Sequence, residues 1–292
     1  MIYTLRYDAG SATNLNQIGI ADRADGIIMN GWGAQRKAGA LSLTFDNLGE
    51  AAEIEFGEWP ADKPIGEHYS ARHVVPTLLS RLEGLRVTFF IEGWNAGIYP
   101  ETLRAIDAAG HEVALHGWRH EIWQRQTEQR QRAVFKQALD AMRSLGLHPQ
   151  GFRPPGGAGS AVLEELLRHE GMTYVSDVGD HVEDHAGVVR LPFPWRGVDG
   201  VFLQPDLGKA AGVTEVGEGG VEALYSSHRR AIATAKATGS HAVFVFHPFL
   251  LGKDPAHLDG LFRLLADASS DPDLWVAPCR DVARWVLSES AK

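Results

Sequence analysis

The chain has 292 residues, 44% hydrophobic and 22% charged, which rules out a disordered chain, a collagen-like fibre and a small cross-linked scaffold. Its 28 lysines and arginines face 37 aspartates and glutamates, and the formal charge of −9 has the wrong sign for a nucleic-acid binder. The one cysteine, Cys279, excludes an internal disulfide and a thiolate-rich zinc site, and its place after an apolar run reads as a buried small residue. No run of eighteen apolar residues occurs, and the first twenty residues lack a signal-peptide pattern. The expectation is a cytoplasmic protein without a membrane span.

Residues 1–39 carry six glycines and little periodicity, and read as an N-terminal extension packed on the domain formed by residues 40–292. From residue 40 apolar runs alternate with amphipathic segments. Strands are expected at Ala40 to Phe45 and Arg86 to Ile91. A helix from Pro100 to Ala109, with proline in its first turn and Gly110 after it, leads to a strand at Glu112 to His116. A long helix over Glu128 to Leu145 is stopped by Gly146 and Pro149. The basic stretch Arg125 to Arg132 reads as a solvated face. A brief strand, Gly151 to Arg153, precedes a helix capped by Ser160 and closed by Gly171. Further strands at Thr173 to Ser176, Val188 to Pro192, Ala242 to Phe246 and Leu274 to Ala277 alternate with helices over Val221 to Thr238, Ala256 to Ala268 and Arg280 to Ser288. Repeated strand–helix order gives an α/β fold, either a barrel or an open doubly wound sheet.

The barrel is favoured by the residues that follow the strands: Asp46, Glu92, His116, Arg153, Asp177 and His247. In an α/β barrel all strands end at one mouth, so residues distant in sequence converge there. His116-Gly-Trp-Arg-His120 offers two histidines four apart, a spacing that can aim both rings at one metal ion. Among thirteen histidines such pairs also arise by chance, as His68–His73 and His181–His185 illustrate. Asp46-Asn47 ends an apolar strand and alone reads as a turn. Arg153-Pro-Pro-Gly-Gly157 offers a cation on a stiff loop, suited to clamping a carboxylate. Val243-Phe-Val-Phe-His247-Pro delivers a histidine to the end of an apolar strand.

In their order, Thr44-Phe-Asp-Asn47, His116-Gly-Trp-Arg-His120, Arg153-Pro-Pro-Gly-Gly157, Asp177-Val-Gly-Asp180 and Phe246-His-Pro248 resemble the five motifs of the polysaccharide deacetylase (NodB-homology) family, over about residues 40–288. The resemblance implies a distorted (β/α) barrel and a divalent metal, usually zinc. It implies hydrolysis of an N-acetyl amide or acetyl ester on a sugar. Carried over to this sequence, Asp46 is the general base, Arg153 holds it, and His247 is the general acid, oriented by Asp177. His116 and His120 are metal ligands, with either Asn47 or Asp46 as the third. Glu92 and Trp195 are assigned to substrate binding, and Trp94, Trp118 and Trp123 are weighed as further walls.

The family usually has a second aspartate where this chain has Asn47. A neutral amide oxygen can ligate but contributes no charge, so affinity for a divalent ion should fall. His116-Gly-Trp-Arg-His120-Glu121, Asn47-Leu-Gly-Glu50, and Leu191-Pro-Phe-Pro-Trp195 with Asp199 resemble the branch near cyclic imidases and allantoinase-like ureide hydrolases. The expected partner is therefore a carbohydrate or a small cyclic amide. N-deacetylation is the first reading and hydrolysis of a cyclic imide or ureide the second. A metal-poor carbohydrate-binding protein without turnover is the third.

Overall fold

A computed structural model describes residues 27, 29–213 and 220–291; most of the expected N-terminal extension lies outside the described residues. The first half of the chain runs β1 (Gly39–Asp46), α1 (Ala51–Glu55), a π-helical turn over Ser70–Val74, α2 (Val75–Arg81), β2 (Thr88–Ile91), α3 (Asn95–Ile98), α4 (Pro100–Ala108) and β3 (Glu112–Leu115). It continues with α5 (Glu128–Ser144), β4 (Gly151–Phe152), α6 (Ala161–Glu170), β5 (Tyr174–Val175), β6 (Glu183–His185) and β7 (Val188–Arg190). The last part holds α7 (Asp199–Leu203), α8 (Pro205–Ala210), α9 (Gly220–Thr238), β8 (His241–Phe246), α10 (Pro248–Leu251), α11 (Pro255–Ser270), β9 (Leu274–Val276) and α12 (Cys279–Ser290).

The strands form one sheet in the order β6-β7-β5-β4-β3-β2-β1-β8, with β9 also paired to β1. It curls into a half-barrel, as expected for a distorted (β/α) barrel. The pairings are parallel apart from the β6–β7 hairpin. The central strand β1 is buried along its whole length, as parallel strands covered on both faces must be. Its alternation divides two environments. Leu41, Leu43 and Phe45 join the core beneath the helices, while Ser42, Thr44 and Asp46 belong to a buried polar interior.

The helix ends follow their capping chemistry. The Ser160 side chain accepts from Leu163 N–H at 3.1 Å, and Gly171 closes α6 at φ 70°. The Thr127 side chain likewise accepts from Arg130 N–H at the start of α5. The β7 strand stops at Arg190, two residues short of the expected Pro192, whose ring lacks the N–H a ladder needs. Cys279 is a free, buried thiol, as its context suggested. No sequence expectation covered α1, the π-to-α segment over 70–81, α3, β6, α7, α8 or α10.

Among the described residues no helix is long and apolar enough to cross a membrane.

Gly93, just past β2, allows α5 to approach the strand end, because a Cβ there would stand 2.4 Å from the Ala138 Cα. Backbone cannot swing aside as a side-chain tip can. Gly93→Ala is therefore expected to cost about 1–3 kcal/mol of stability through overpacking, read as a lower urea midpoint at unchanged slope.

Candidate active site

Asp46, Asn47, His116, His120, Arg153 and His247 line a single cavity of about 90 Å³ at the C-terminal ends of β1, β3, β4 and β8. Trp195 forms part of its wall. Asp46, His116, Arg153 and His247 are delivered by strand ends, and Asn47 and His120 by the turns that follow β1 and β3. Asp46 follows Thr44 on the inner face of β1, and His116 extends β3 by donating its N–H to Ile91 O at 3.0 Å. Arg153 extends β4 by donating its N–H to Leu115 O at 2.9 Å.

The Arg153 side chain is 1% exposed and crosses the interior. Nη1 donates to Asp46 Oδ1 at 2.6 Å and to Thr44 Oγ1 at 2.7 Å, and Nη2 donates to Ser176 Oγ at 2.9 Å. Phe90 and Phe193 sandwich the guanidinium at 4.0 and 4.8 Å from their ring centroids. With Oδ1 occupied, Asp46 Oδ2 is left 3.9 Å from His116 Nε2. Burial raises the Asp46 pKa against the pull of Arg153, which makes this carboxylate a stronger base.

His116 Nδ1 lies 2.8 Å from Arg153 O and donates to it, since a carbonyl only accepts. Nε2 therefore carries a lone pair. Burial depresses the His116 pKa to about 3 and drives that of His120 well below its usual value, so both rings are neutral at pH 7. Their centroids are 4.8 Å apart. Asn47 and His120 both occupy left-handed backbone, at φ 64° and 76°. The Asn47 Oδ1 and His120 Nδ1 atoms are buried without a hydrogen-bond partner.

These orphaned atoms test the fit of a metal. Among the described residues no group of three or more His, Cys, Asp or Glu side chains would hold an ion by itself. The available donors are two neutral imidazoles and the Asn47 amide oxygen. Asn47 stands where a carboxylate would complete the charged set, and Asp46 is committed to Arg153. The donors fit a divalent ion chemically, with less charge compensation than a carboxylate would give.

Opposite Asp46, His247 is held from behind. Its Nδ1 lies 2.5 Å from Asp199 Oδ1, and its backbone N–H donates to Asp199 Oδ2 at 2.8 Å. Nε2 is left for the cavity. Burial works against the charged ring, yet Asp199 outweighs it and raises the His247 pKa above 6.5. Burial likewise opposes ionisation of Asp199, but His247 and His257 hold its pKa far below the usual carboxylate range.

Two expectations are corrected. Asp177 does not orient His247: its carboxylate pairs with Arg190 at 2.6 Å, because its loop turns toward β7. The orienting carboxylate is Asp199. It follows Val198, which pairs with Val245 and so brings Asp199 alongside the end of β8. Its role was legible only as the end of the Leu191–Trp195 string. Glu92 does not reach the cavity either. It is fully buried and accepts from Leu48 N–H at 3.2 Å and Asn95 Nδ2 at 3.0 Å, bracing the turn after Asn47. Of the four tryptophans weighed, Trp195 alone lines the cavity, while Trp123 lies in the core. Outside the cavity, His68 bonds Ser70 and His185 pairs with Glu183, the chance-spaced histidines of the sequence.

Residues 34–175 match the family model described as polysaccharide deacetylase. Chitin deacetylase 1 of Saccharomyces cerevisiae is 33% identical over 91 residues, which cover 31% of this chain and 30% of the yeast protein. The chain thus spans less than a third of that relative's length. A putative polysaccharide deacetylase from Mycobacterium smegmatis superposes with a TM-score of 0.74 at 25% identity, covering 91% of this chain and 96% of the other. Puue allantoinase superposes with a TM-score of 0.73 at 21% identity, covering 92% and 96%, a likeness of fold.

Breaking the Arg153–Asp46 pair from one side leaves a buried charge uncompensated. Arg153→Met is expected to lose about 3–5 kcal/mol in urea unfolding, and Asp46→Asn in the same chain to recover part of that loss. Glu92 gives a pH signature. Burial raises its pKa to about 8 from 4.5, so stability is fully present below pH 4.5 and is lost as pH rises through 8. Glu92→Gln should match the parent at pH 4 and exceed its stability at pH 9, as measured by thermal unfolding at both values.

Proposed function

We propose, from the match of residues 34–175 to the polysaccharide deacetylase family model, that the chain hydrolyses a non-peptide C–N bond, removing the acetyl group from the nitrogen of an acetylated amino sugar. The observation that carries this reading is the placement on one cavity of a clamped carboxylate, Asp46, and a histidine held by its own carboxylate, His247.

In this reading Asp46 Oδ2 takes a proton from water as the water oxygen bonds to the amide carbon. The carbonyl π electrons move onto oxygen, giving a tetrahedral intermediate. When the carbonyl re-forms, the C–N bond breaks and the nitrogen takes the Nε2 proton of His247, leaving a free amine and acetic acid, which ionises to acetate in water. Arg153 holds Asp46 in place throughout, and Asp199 keeps the His247 Nδ1–H turned away from the cavity. A divalent ion, zinc by the character of the donors, would be held by His116, His120 and Asn47, with Asp46 the alternative to Asn47. When bound, it supplies Lewis-acid polarisation of the carbonyl oxygen.

One observation favours a second reading. The cavity is small, and Phe56, Ile122, Phe193, Leu207 and Phe249 give it largely apolar walls. Such an enclosure suits a small cyclic imide or ureide better than a polymer.

Incubating the purified chain with N-acetylglucosamine oligomers and with succinimide-type rings separates the readings. Acetate release supports deacetylation, and ring opening alone replaces it with the second reading. Turnover of neither, with sugar binding by calorimetry, leaves a carbohydrate-binding protein. His247→Ala is expected to lower kcat by about 10²- to 10⁴-fold with little change in KM. His116→Ala should abolish turnover together with the zinc content measured by elemental analysis.

A further inference from the structure

The carboxylate behind His247 has a second histidine on its far side. His257, in the first turn of α11, is fully buried, and its Nε2 lies 3.2 Å from Asp199 Oδ2. Asp199 thus accepts three bonds: from the His247 ring, from the His247 backbone N–H, and from His257. The Tyr225 hydroxyl, from α9, sits 3.0 Å from His257 Nδ1 and 2.8 Å from His257 O. Neither residue lines the cavity.

We propose that His257 and Tyr225 are positioning residues, which fix Asp199 and through it the direction and proton affinity of His247. The proposal rests on the hydrolytic role given to His247 above. Its logic is one of tautomers. A carboxylate only accepts, so the contact with Asp199 requires the His257 proton on Nε2; Nδ1 is then an acceptor, and the one Tyr225 hydroxyl proton is shared between that nitrogen and His257 O. Asp199 then shares its charge between two imidazoles. His247 faces Asp46, Arg153, His116 and His120 across the cavity and Asp199 behind, with His257 beyond it.

The packing is built for this contact. Gly260, three residues after His257 on α11, is buried in mid-helix, where glycine is a poor choice. A Cβ there would stand 2.2 Å from the Tyr225 ring, so the missing side chain is what lets the phenol reach His257. Tyr225 also lies over Phe246 at a centroid distance of 6.4 Å, beside the strand that carries His247.

The test uses His257→Leu, which removes the donor, His257→Gln, whose amide replaces it, and Gly260→Ala, which displaces Tyr225. Two readouts are taken: the pH profile of turnover, and the histidine tautomers by nitrogen-15 NMR. In the parent, His257 is expected to carry its proton on Nε2 and His247 on Nδ1. His257→Leu should lower kcat roughly 10- to 100-fold with KM nearly unchanged, as loss of an orienting outer partner does. Its alkaline limb should move to higher pH, because Asp199 then acts on His247 alone. His257→Gln should restore most of the rate, and Gly260→Ala should lose the Nε2 tautomer at His257. The proposal is overturned if His257→Leu keeps the parental rate and limb, or if Leu and Gln are equally impaired with an unmoved limb. A His257 protonated on Nδ1 alone in the parent also overturns it. The tautomer measurement needs no substrate, so it decides the proposal even if the chain hydrolyses neither class of compound, and even if His257→Leu does not fold.

Discussion

A buried guanidinium at the centre of a half-barrel is the constraint on which the rest of this molecule turns. Arg153 is placed by a strand of only two residues, yet it reaches β1 through Thr44 and Asp46 and the end of β5 through Ser176. The same residue acts twice, since its side chain orients Asp46 while its carbonyl oxygen fixes the His116 tautomer. A charge this deep is costly without partners: both terminal nitrogens are bonded, Nε is buried without one, and Phe90 and Phe193 lie against the guanidinium. Lysine has neither the fork nor the flat faces to replace it.

Much of this was legible in the sequence, for identifiable reasons. Apolar runs ending in Asp46, His116 and His247 mark strands whose final side chains emerge at one mouth, and parallel pairing brings those ends together. Capping residues such as Ser160 with Gly171 delimited helices because local geometry demands them. What failed was the reading of where loops return. Asp177 and Asp199 each follow a short apolar segment, and spacing alone does not separate them. The single Val198–Val245 pairing, remote in sequence, brings Asp199 rather than Asp177 to His247. Glu92 failed differently: a polar residue after a strand serves backbone as readily as substrate, and its partners are the Leu48 N–H and the Asn95 amide. The segment over 70–81 went unread because its helix begins in a π turn with Pro76 in its second part, which blurs the usual periodicity.

The site also stores strain where it holds its candidate donors. Left-handed backbone at a residue with a side chain costs about 1–3 kcal/mol, and both Asn47 and His120 adopt it. Glu92 supports the first turn through Leu48. Glu121 supports the second by accepting from the N–H groups of Trp118 and Arg119, each at 3.0 Å. The acidic residues around the cavity therefore divide the work: some hold backbone in an unfavourable shape, and Asp46 and Asp199 face the reactive groups.

The antiparallel hairpin at the far rim bears on how copies of this molecule behave together. A half-barrel leaves a raw margin of backbone donors and acceptors, an invitation to stack one chain onto the next. One of its two margins is β6, three residues long and composed of Glu183, Asp184 and His185, run against its neighbours' direction. A strand so short and so charged offers an incoming chain little to pair with and much to repel it. On that rim the fold thereby gains protection from fibre-like self-assembly.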